Sequence, residues 1–280
     1  MITLEFESPP ADLTAYISGY YLFRTDDICY QDIDRADIAQ FRVPLEGDGD
    51  AHDANGLLTQ NYPAMLRGPT TAAMPFELRG PATMFGVGLL PAGWVAFTGL
   101  AANKYVNTTM NAVDIFGAPL SERLPELLLL RSIADMAALM NDVWRGMSRD
   151  PSAIPHWFIR AVDSWLESDV SPDLAALEVA TGLSRRQIER HSKAIYGCPP
   201  KLLARKYRAL RTASAIAHGE GDWQDFVDAA YYDQSHCIRE IKEFVGITPG
   251  AIRDDLSRLV ALTLAPPPSM SRMPALSALR

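Results

Sequence analysis

The chain has 280 residues, a formal net charge of −8 and 48% apolar side chains, which is enough for one large or two ordinary folded domains. Its three cysteines, Cys29, Cys198 and Cys237, are widely spaced and odd in number, which argues against a disulfide framework or a paired-cysteine metal site. The first residues lack the basic start and apolar run of a signal peptide. These features are typical of a cytoplasmic protein.

Residues 1–120 alternate short apolar runs with turn signals, which predicts a β-rich domain with a few short helices. A short helix is predicted at 11–17, and strands at 20–23, 57–60, 64–67, 76–78 and 84–90. Gly47-Asp48-Gly49-Asp50 and Asn55-Gly56 are typical turn sequences. Several short strands separated by turns favour a small barrel or sandwich.

No charged residue lies between Arg79 and Lys104, a length that could cross a membrane. Glycines and prolines interrupt this segment, and Pro91-Ala92-Gly93 predicts a turn at its middle. We therefore expect a buried strand, a turn and a short helix, and no membrane partner.

From about Leu120 the apolar residues recur at helical spacing, and Pro151 and Pro155 separate two such stripes. The fold class is therefore α+β, with a β-rich domain at 1–150 that ends in helices and an all-α domain at 151–258. The final stretch, 259–280, is rich in proline, serine and small residues and is expected to be disordered.

Charge is distributed unevenly along the chain. Residues 1–153 contain 10 Lys/Arg and 19 Asp/Glu, a net charge of −9, whereas residues 184–211 contain nine basic residues and one acid, a net charge of +8. An acidic body with a short basic block is typical of a nucleic-acid-binding regulator, although a solvated helix face would look the same.

The basic block begins inside a predicted helix–turn–helix. Leu174 and Leu177 mark the apolar side of one short helix, and Gly182 allows a tight turn after it. Ser184 and Gln187 form a capping-box pattern that starts a second helix, whose inward face carries Ile188 and Ile195. The polar first turns of that helix hold Arg185, Arg186, Gln187, Glu189 and Arg190. Arginine can form bidentate hydrogen bonds with guanine, and glutamine with adenine.

A long helix is predicted from Lys201 to His218, spanning roughly 27 Å at 1.5 Å per residue, so it can separate two small helical units. A second helix pair follows at 223–230 and 234–244. The segments Gly182-Leu183-Ser184-Arg185-Arg186-Gln187-Ile188 and Tyr232-Asp233-Gln234-Ser235-His236, with Gly246-Ile247-Thr248-Pro249, resemble the AraC/XylS regulators over residues 173–253. Both halves agree in order and spacing.

This resemblance implies a bacterial-type transcription factor whose two recognition helices, near 184–196 and 234–244, enter successive major grooves. The implied base-reading residues are Arg185, Arg186, Gln187 and Arg190 in the first helix, and Gln234, Ser235, Arg239 and Lys242 in the second. The candidate phosphate contacts are Ser184, Arg205 and Lys206. The partners to expect are double-stranded DNA, a small-molecule effector, a second copy of the chain and RNA polymerase, with no cofactor.

The N-terminal region is similar to a sensing domain found in some AraC-type regulators. The similar residues are Gly86-Val87-Gly88, Pro91-Ala92-Gly93 and Val113-Asp114-Ile115-Phe116-Gly117. This implies an effector or dimerisation domain. Tyr20, Tyr62 and Trp94 are candidate pocket residues, with a role as core aromatics as the alternative.

Three departures from the family pattern concern packing. Glu178 stands where a small alanine is usual, and burying it would be costly unless it is paired or turned outward. Cys237 and Ile241 replace bulky aromatics of the second recognition helix, and the usual glycine of the second turn is missing. The second unit is therefore expected to be tilted or to act mainly as support.

Two other functions stay open. An enzyme would need clustered ligands or a reactive nucleophile. The five histidines are scattered, and Cys198, beside Pro199, is the candidate nucleophile or methyl acceptor. A degenerate regulator could instead act through a protein partner. We expect no catalytic activity and no metal site.

Overall fold

The computed structural model describes residues 2–51, 62–147, 154–219, 231–254 and 259–264. In chain order, the antiparallel β-strands come mostly before the helices, which confirms the α+β class. The strands are β1 (Ile2–Glu7), β2 (Ile17–Thr25), β3 (Cys29–Asp34), β4 (Ala39–Ala51), β5 (Met65–Arg67), β6 (Met74–Leu89) and β7 (Thr109–Asn111).

The seven strands form one sheet, in which six follow the order β1-β2-β6-β4-β5-β7 and β3 pairs with β6. The long strand β6 organises it, because β3 and then β2 pair along one edge of β6 while β4 pairs along the other. The strands predicted separately at 76–78 and 84–90 are thus parts of β6. The strand predicted at 57–60 and the Asn55-Gly56 turn lie outside the described residues.

The Gly47-Asp48-Gly49-Asp50 segment is part of β4 and is not a turn, so that prediction is wrong. The β4–β6 register shifts on both sides of Glu46, and Gly47 has a φ of +81°. Such irregularities bend a strand without ending it, and glycine is the residue that tolerates them. The helix predicted at 11–17 is also wrong, because residues 11–16 form turns and Ile17 begins β2.

Of the α-helices, the first lies between β6 and β7 in the chain, and the others follow β7. They are α1 (Pro91–Thr98), α2 (Ala112–Phe116), α3 (Ala118–Ser121), α4 (Leu124–Leu129), α5 (Ile133–Met147), α6 (His156–Ser168), α7 (Leu174–Thr181), α8 (Arg185–Tyr196), α9 (Pro200–Ala217), α10 (Gln234–Val245), α11 (Pro249–Asp254) and α12 (Leu259–Leu264). The uncharged segment 80–103 lies in β6, α1 and a 3₁₀ turn at Ala102–Lys104. No helix among the described residues is long and apolar enough to cross a membrane.

Trp144 of α5 is the aromatic centre of the main core. It is fully buried, and its ring lies 4.9 Å from that of Phe97, 5.5 Å from that of Phe41 and 5.6 Å from that of Phe116, centroid to centroid. The side chains of α1, α2, α5 and β4 are therefore fixed around one indole, and edge-to-face contacts of this kind add to the burial of their area.

The main core continues past the predicted boundary at residue 150. It runs without interruption from the sheet through α6 to α8 and the first half of α9, where Leu203 and Tyr207 belong to it. A second, smaller core joins the rest of α9 to α10 and α11, with Ala36 of the N-terminal domain among its members. The first helical unit thus shares its core with the sheet domain, and the second has a separate core to which the sheet domain contributes Ala36.

Residues 259–264, at the start of the stretch expected to be disordered, form a short helix. Asp32 Oδ2 accepts a hydrogen bond from the Leu259 amide at 2.8 Å, and Ser214 Oγ on α9 donates to the Leu264 carbonyl at 2.8 Å. The helix is therefore held between β3 and α9. Residues 265–280 lie outside the described residues.

Candidate nucleic-acid interface

The first helical pair has the predicted form. Asp173 caps α7 by accepting the Ala175 amide, and Gly182 ends that helix at a φ of +67°. The Gln187 side-chain oxygen accepts the Ser184 amide at 3.0 Å and the Ser184 hydroxyl at 2.7 Å. The capping box is confirmed, and it occupies the amide oxygen of Gln187, leaving the NH₂ group of that side chain outside this contact.

The polar side of α8 faces outward over an apolar base. Ile188 and Ile195 are buried, with 0% and 4% exposure. The predicted first-helix residues are exposed, and so is Lys193, which our site prediction left out; the exposed set is Arg185, Arg186, Gln187, Arg190 and Lys193. These side chains share one helix surface that carries a strong positive charge.

Glu178 is turned partly outward and pairs with a reading residue. Its side chain is 30% exposed, and its carboxylate lies 3.4 Å from Arg185 Nε. This contact resolves the cost expected for a buried glutamate at the position of the usual alanine. It also holds Arg185 beside α7, so Arg186 and Arg190 are less restrained than Arg185.

The second reading helix, α10, is capped by Asp233, whose carboxylate accepts the His236 amide at 2.7 Å. The predicted contact residues are again exposed: Gln234, Ser235, Arg239 and Lys242. Cys237 and Ile241 are fully buried, so they occupy the core positions expected for aromatics. The first helix of this unit, predicted at 223–230, lies outside the described residues.

Three basic residues of α9, Lys206, Arg208 and Arg211, turn inward, which corrects the phosphate-contact prediction for Lys206. Its side chain is buried, and its ammonium donates to the carbonyls of Asp37 at 3.2 Å and Thr70 at 3.3 Å. Burial lowers the pKa of Lys206. Arg211 is also buried, and its guanidinium donates to the carbonyl of Leu166 at 2.9 Å. A lysine enclosed in this way cannot reach a phosphate without leaving its site.

Arg205, the other phosphate-contact candidate on α9, is 41% exposed but already bound to two carboxylates. Its Nε donates to Glu240 at 2.6 Å and its Nη2 to Glu243 at 2.8 Å. Arg208 also binds Glu240, through Nε at 3.0 Å and Nη2 at 2.6 Å. Sequence reasoning missed Glu240, although the three-residue spacing of Arg205 and Arg208 places both on one face of α9.

Both reading helices end against the N-terminal domain. At Gly197, after α8, a β-carbon would lie 2.7 Å from Val106 and 2.9 Å from Pro69, and at Gly246, after α10, one would lie 2.4 Å from Ile33. Both glycines have positive φ. Only glycine combines this backbone with so close an approach.

Backbone hydrogen bonds accompany the second of these contacts. The amide of Ala73 donates to the Glu243 carbonyl at 2.9 Å, and that of Ala36 to the Phe244 carbonyl at 2.6 Å. The last carbonyls of a helix have no partner within it, so the N-terminal domain satisfies two that α10 leaves free. Residues 69–73 thereby touch the end of α8, the lysine of α9 and the end of α10.

Two of the three effector-pocket candidates are buried, and the third is half-buried. Tyr20 is fully buried, stacks on Phe85 and donates to Asn141 Oδ1 at 2.6 Å. Trp94 is buried and donates to the Leu100 carbonyl at 2.7 Å, while Tyr62 is half-buried at the start of a described segment. Tyr20 and Trp94 are thus core aromatics.

A small cavity lies between the domains. It has a volume of about 20 Å³ and is lined by residues that include Trp94, Tyr196, Lys206 and Tyr207. A space of this size holds about one water molecule. It is too small for an effector in this conformation.

The residues offer little to the enzyme alternative. Within the described ranges, no group of three or more His, Cys, Asp and Glu side chains could hold a metal ion. Cys198 is 2% exposed, and burial raises the pKa of its thiol, which disfavours the reactive thiolate. His236 is a structural contact, since its Nε2 lies 3.2 Å from Glu240.

Comparison with known proteins agrees with this geometry. The family model described as a helix-turn-helix domain matches residues 177–255. The C-terminal region therefore carries an AraC-type helix-turn-helix domain, the kind found in DNA-binding transcription regulators. No curated protein matches the chain.

Solved structures of ToxT from Vibrio cholerae are similar over most of the chain. An apo form of a ToxT point variant from strain SCE256 has 11% identity and a TM-score of 0.50, with 90% of this chain and 100% of that chain covered. Unsaturated fatty acid bound wild-type ToxT from the same strain has 11% identity and a TM-score of 0.48, covering 92% and 96%. The AraC-like transcriptional activator CuxR has 10% identity and a TM-score of 0.27, covering 76% and 87%. The similarity to the apo structure is one of fold, a sheet domain followed by a helix-turn-helix domain.

Proposed function

We propose that this protein is a sequence-specific transcription regulator that reads DNA with α8 and α10, and that its N-terminal domain regulates this binding. The observation that carries the proposal is the surface of α8. Arg186 and Arg190 project from its first turns, above a buried base that includes Ile188. A recognition helix uses this arrangement in the major groove, where N-terminal side chains contact base edges.

The electrostatics of the chain support the same function. The exposed cations of α8 are four in number, Arg185, Arg186, Arg190 and Lys193, and they stand out from a chain whose net charge is −8. Because an acidic body is repelled by phosphate while a basic surface attracts it, DNA should approach by the helical side. On α10, Arg239 and Lys242 add a second exposed basic surface.

Contacts between the domains support a regulatory role for the sheet domain. Residues 69–73 touch both reading helices and α9, so a change in the sheet domain can alter the reading surface. We propose that the signal is a small molecule or dimerisation of this domain. Two measurements distinguish these signals. Thermal unfolding with candidate ligands detects a small molecule that binds the folded protein, and sedimentation at several protein concentrations detects dimerisation.

Selection from a random DNA library with the purified chain at moderate salt tests the DNA-binding proposal. Two enriched blocks about one helical turn apart, roughly 34–36 Å, are expected if both helices read sequence. A single block would mean that only one of them does. If no sequence is enriched at any salt concentration, the proposal is wrong and a protein partner becomes the better hypothesis.

Arg186→Ala is the matching variant, with Arg123→Ala in the N-terminal domain as its control. Arg186 is exposed on α8. Arg123 is also exposed, but it lies in the N-terminal domain and pairs with Glu126. We expect Arg186→Ala to weaken specific binding by about 1–3 kcal/mol while Arg123→Ala binds as the wild type does. Binding should also weaken steeply with salt, as phosphate contacts require.

A further inference from the structure

A buried carboxylate joins the long helix α9 to the second reading helix. Glu240 lies on α10 with 1% of its side chain exposed, on the side away from solvent. Around it stand Arg205 and Arg208 of α9 and His236 of its own helix. An isolated carboxylate would be costly at this depth, so these partners explain how Glu240 can be buried.

The contacts divide between the two oxygens of the carboxylate. Oε1 accepts Arg205 Nε at 2.6 Å and lies 3.2 Å from His236 Nε2. Oε2 accepts Arg208 Nε at 3.0 Å and Arg208 Nη2 at 2.6 Å. Burial opposes the charge on Glu240, but the hydrogen bonds from Arg208 and Arg205 outweigh it and hold the pKa of this carboxyl below its ordinary value. The group is therefore an ionised, fully engaged acceptor.

The two arginines have further contacts that restrain them. Arg208 donates to Ser171, in the loop before α7, and its guanidinium lies 5.0 Å from the centre of the Tyr231 ring. The guanidinium of Arg205 lies 5.5 Å from the centre of the Phe244 ring. Because the planar guanidinium presents donors in fixed directions, partners held in this way admit one position of the carboxylate.

We propose that Glu240 is the positioning residue of the second reading helix, and that its two arginine contacts set the sequence discrimination of α10. The inference rests on the proposed function. A carboxylate bound at two points three residues apart on α9 restrains both the rotation of α10 about its axis and its position along α9. The exposed residues of α10 share its backbone, so any rotation moves all of them relative to the base edges.

Glu240→Gln tests this role, and Glu243→Gln is a matched control. Both changes remove one negative charge from α10, and both residues bind Arg205, but Glu243 is 41% exposed and, within the described residues, does not pair with Arg208. The full-length protein is measured against the selected two-block DNA and against versions with base changes in the first block or the second. The readout is the affinity ratio between matched and changed DNA for each block.

Glu240→Gln should lower discrimination at the second block by at least about tenfold and leave discrimination at the first block unchanged. Glu243→Gln should retain both. Unchanged second-block discrimination in Glu240→Gln would overturn the inference. An equal loss at both blocks would also overturn it, because that result indicates general destabilisation.

Arg208→Lys keeps the test decisive if Glu240→Gln does not fold. It preserves the charge beside Glu240 but replaces the guanidinium fork with a single ammonium. A loss confined to the second block supports the inference, and wild-type discrimination contradicts it. If the wild-type protein itself selects no DNA, the proposed function fails; if it does select DNA and these variants behave as wild type, only the role of Glu240 fails.

Discussion

The two reading helices, α8 and α10, differ in how their charges are held. Each has 12 residues, a polar N-cap and a left-handed glycine at its end. On α8 the ion pair between Arg185 and Glu178 lies at the surface, where water screens it. On α10 the buried Glu240 is bound to two arginines of α9.

The difference shows that two copies of one motif can depend on different parts of a protein. The cap and turn of α8 come from residues 173–187, and its apolar base belongs to the main core. The position of α10 depends on α9 and on a smaller core. Changes near α8 should therefore act through local chemistry, and changes near α10 through its orientation.

The largest expected effects are on folding. Ile188 and Ile241 are both fully buried, one in each core. Ile188→Ala and Ile241→Ala should each lower the free energy of unfolding by about 2–5 kcal/mol, because each leaves a cavity. In urea unfolding followed by circular dichroism, Ile241→Ala should melt the second unit in a separate, earlier step. A single transition in both variants would show that the two cores are not independent.

The next effect concerns DNA affinity. Arg186→Ala should reduce discrimination at the block read by α8 by about 1–3 kcal/mol, the range for a bidentate arginine–guanine contact. Arg239→Ala should reduce it at the other block, by less if α10 acts mainly as support. Titrations with fluorescent duplexes measure both. If Arg239→Ala lost more discrimination than Arg186→Ala, α10 would contribute more to sequence recognition than α8, opposite to the expectation.

Two carboxyl groups, those of Asp163 and Glu240, should give opposite pH dependences of stability. Burial, together with nearby Glu167, raises the pKa of Asp163 on α6 to about 7, whereas that of Glu240 is lowered. A raised carboxyl pKa means that the folded state holds its proton more tightly, so stability falls as the pH rises from about 4 to 7. The lowered pKa of Glu240 instead gives stability that is lost only in acid.

Asp163→Asn should therefore stabilise the protein at pH 8, by at most about 4 kcal/mol, and have little effect at pH 4. Tyr196 and Tyr207 also face this carboxyl, and both remain neutral in this range because burial raises their pKa values. Thermal unfolding of wild type and variant from pH 4 to 8 checks the prediction. Parallel curves for the two proteins would contradict it.

The smallest effects belong to the caps. Ser184→Ala and Asp233→Ala each remove the side-chain acceptor or donor that begins a reading helix, and each should cost about 1 kcal/mol of stability. Asp233→Asn is the control, since asparagine caps equally well. Urea midpoints give the comparison. If Asp233→Asn is as unstable as Asp233→Ala, the charge of Asp233 matters more than its cap.

Local features could be predicted from the sequence because their partners are close in the chain. The capping box of Ser184 and Gln187, the turn at Gly182 and the inward stripe of α8 are all set by residues within a few positions. Helical periodicity and capping chemistry report such contacts directly. The bounds of α7 and α8 could therefore be predicted from the sequence.

Features that depend on distant partners could not be predicted in the same way. The sequence predicts a phosphate contact for Lys206, because its actual acceptors, the carbonyls of Asp37 and Thr70, lie 169 and 136 positions away in the chain. The Gly47 segment looked like a turn because glycine permits both a turn and a bulge, and only pairing with β6 distinguishes them. The exposed residues of α8 and α10 are placed together by the fold, but their contacts with DNA stay a prediction.

The short loop at residues 69–73 has a mechanical consequence. It abuts the glycine after α8 through Pro69 and binds the Glu243 carbonyl of α10 through the Ala73 amide, while the Thr70 carbonyl binds Lys206 between them. Because this one loop contacts α8, α9 and α10, its displacement cannot move one of these helices alone. Displacing the loop would change the orientation of both reading helices together. The response of the protein to a signal in its sheet domain should therefore involve α8 and α10 at once, and not one helix independently of the other.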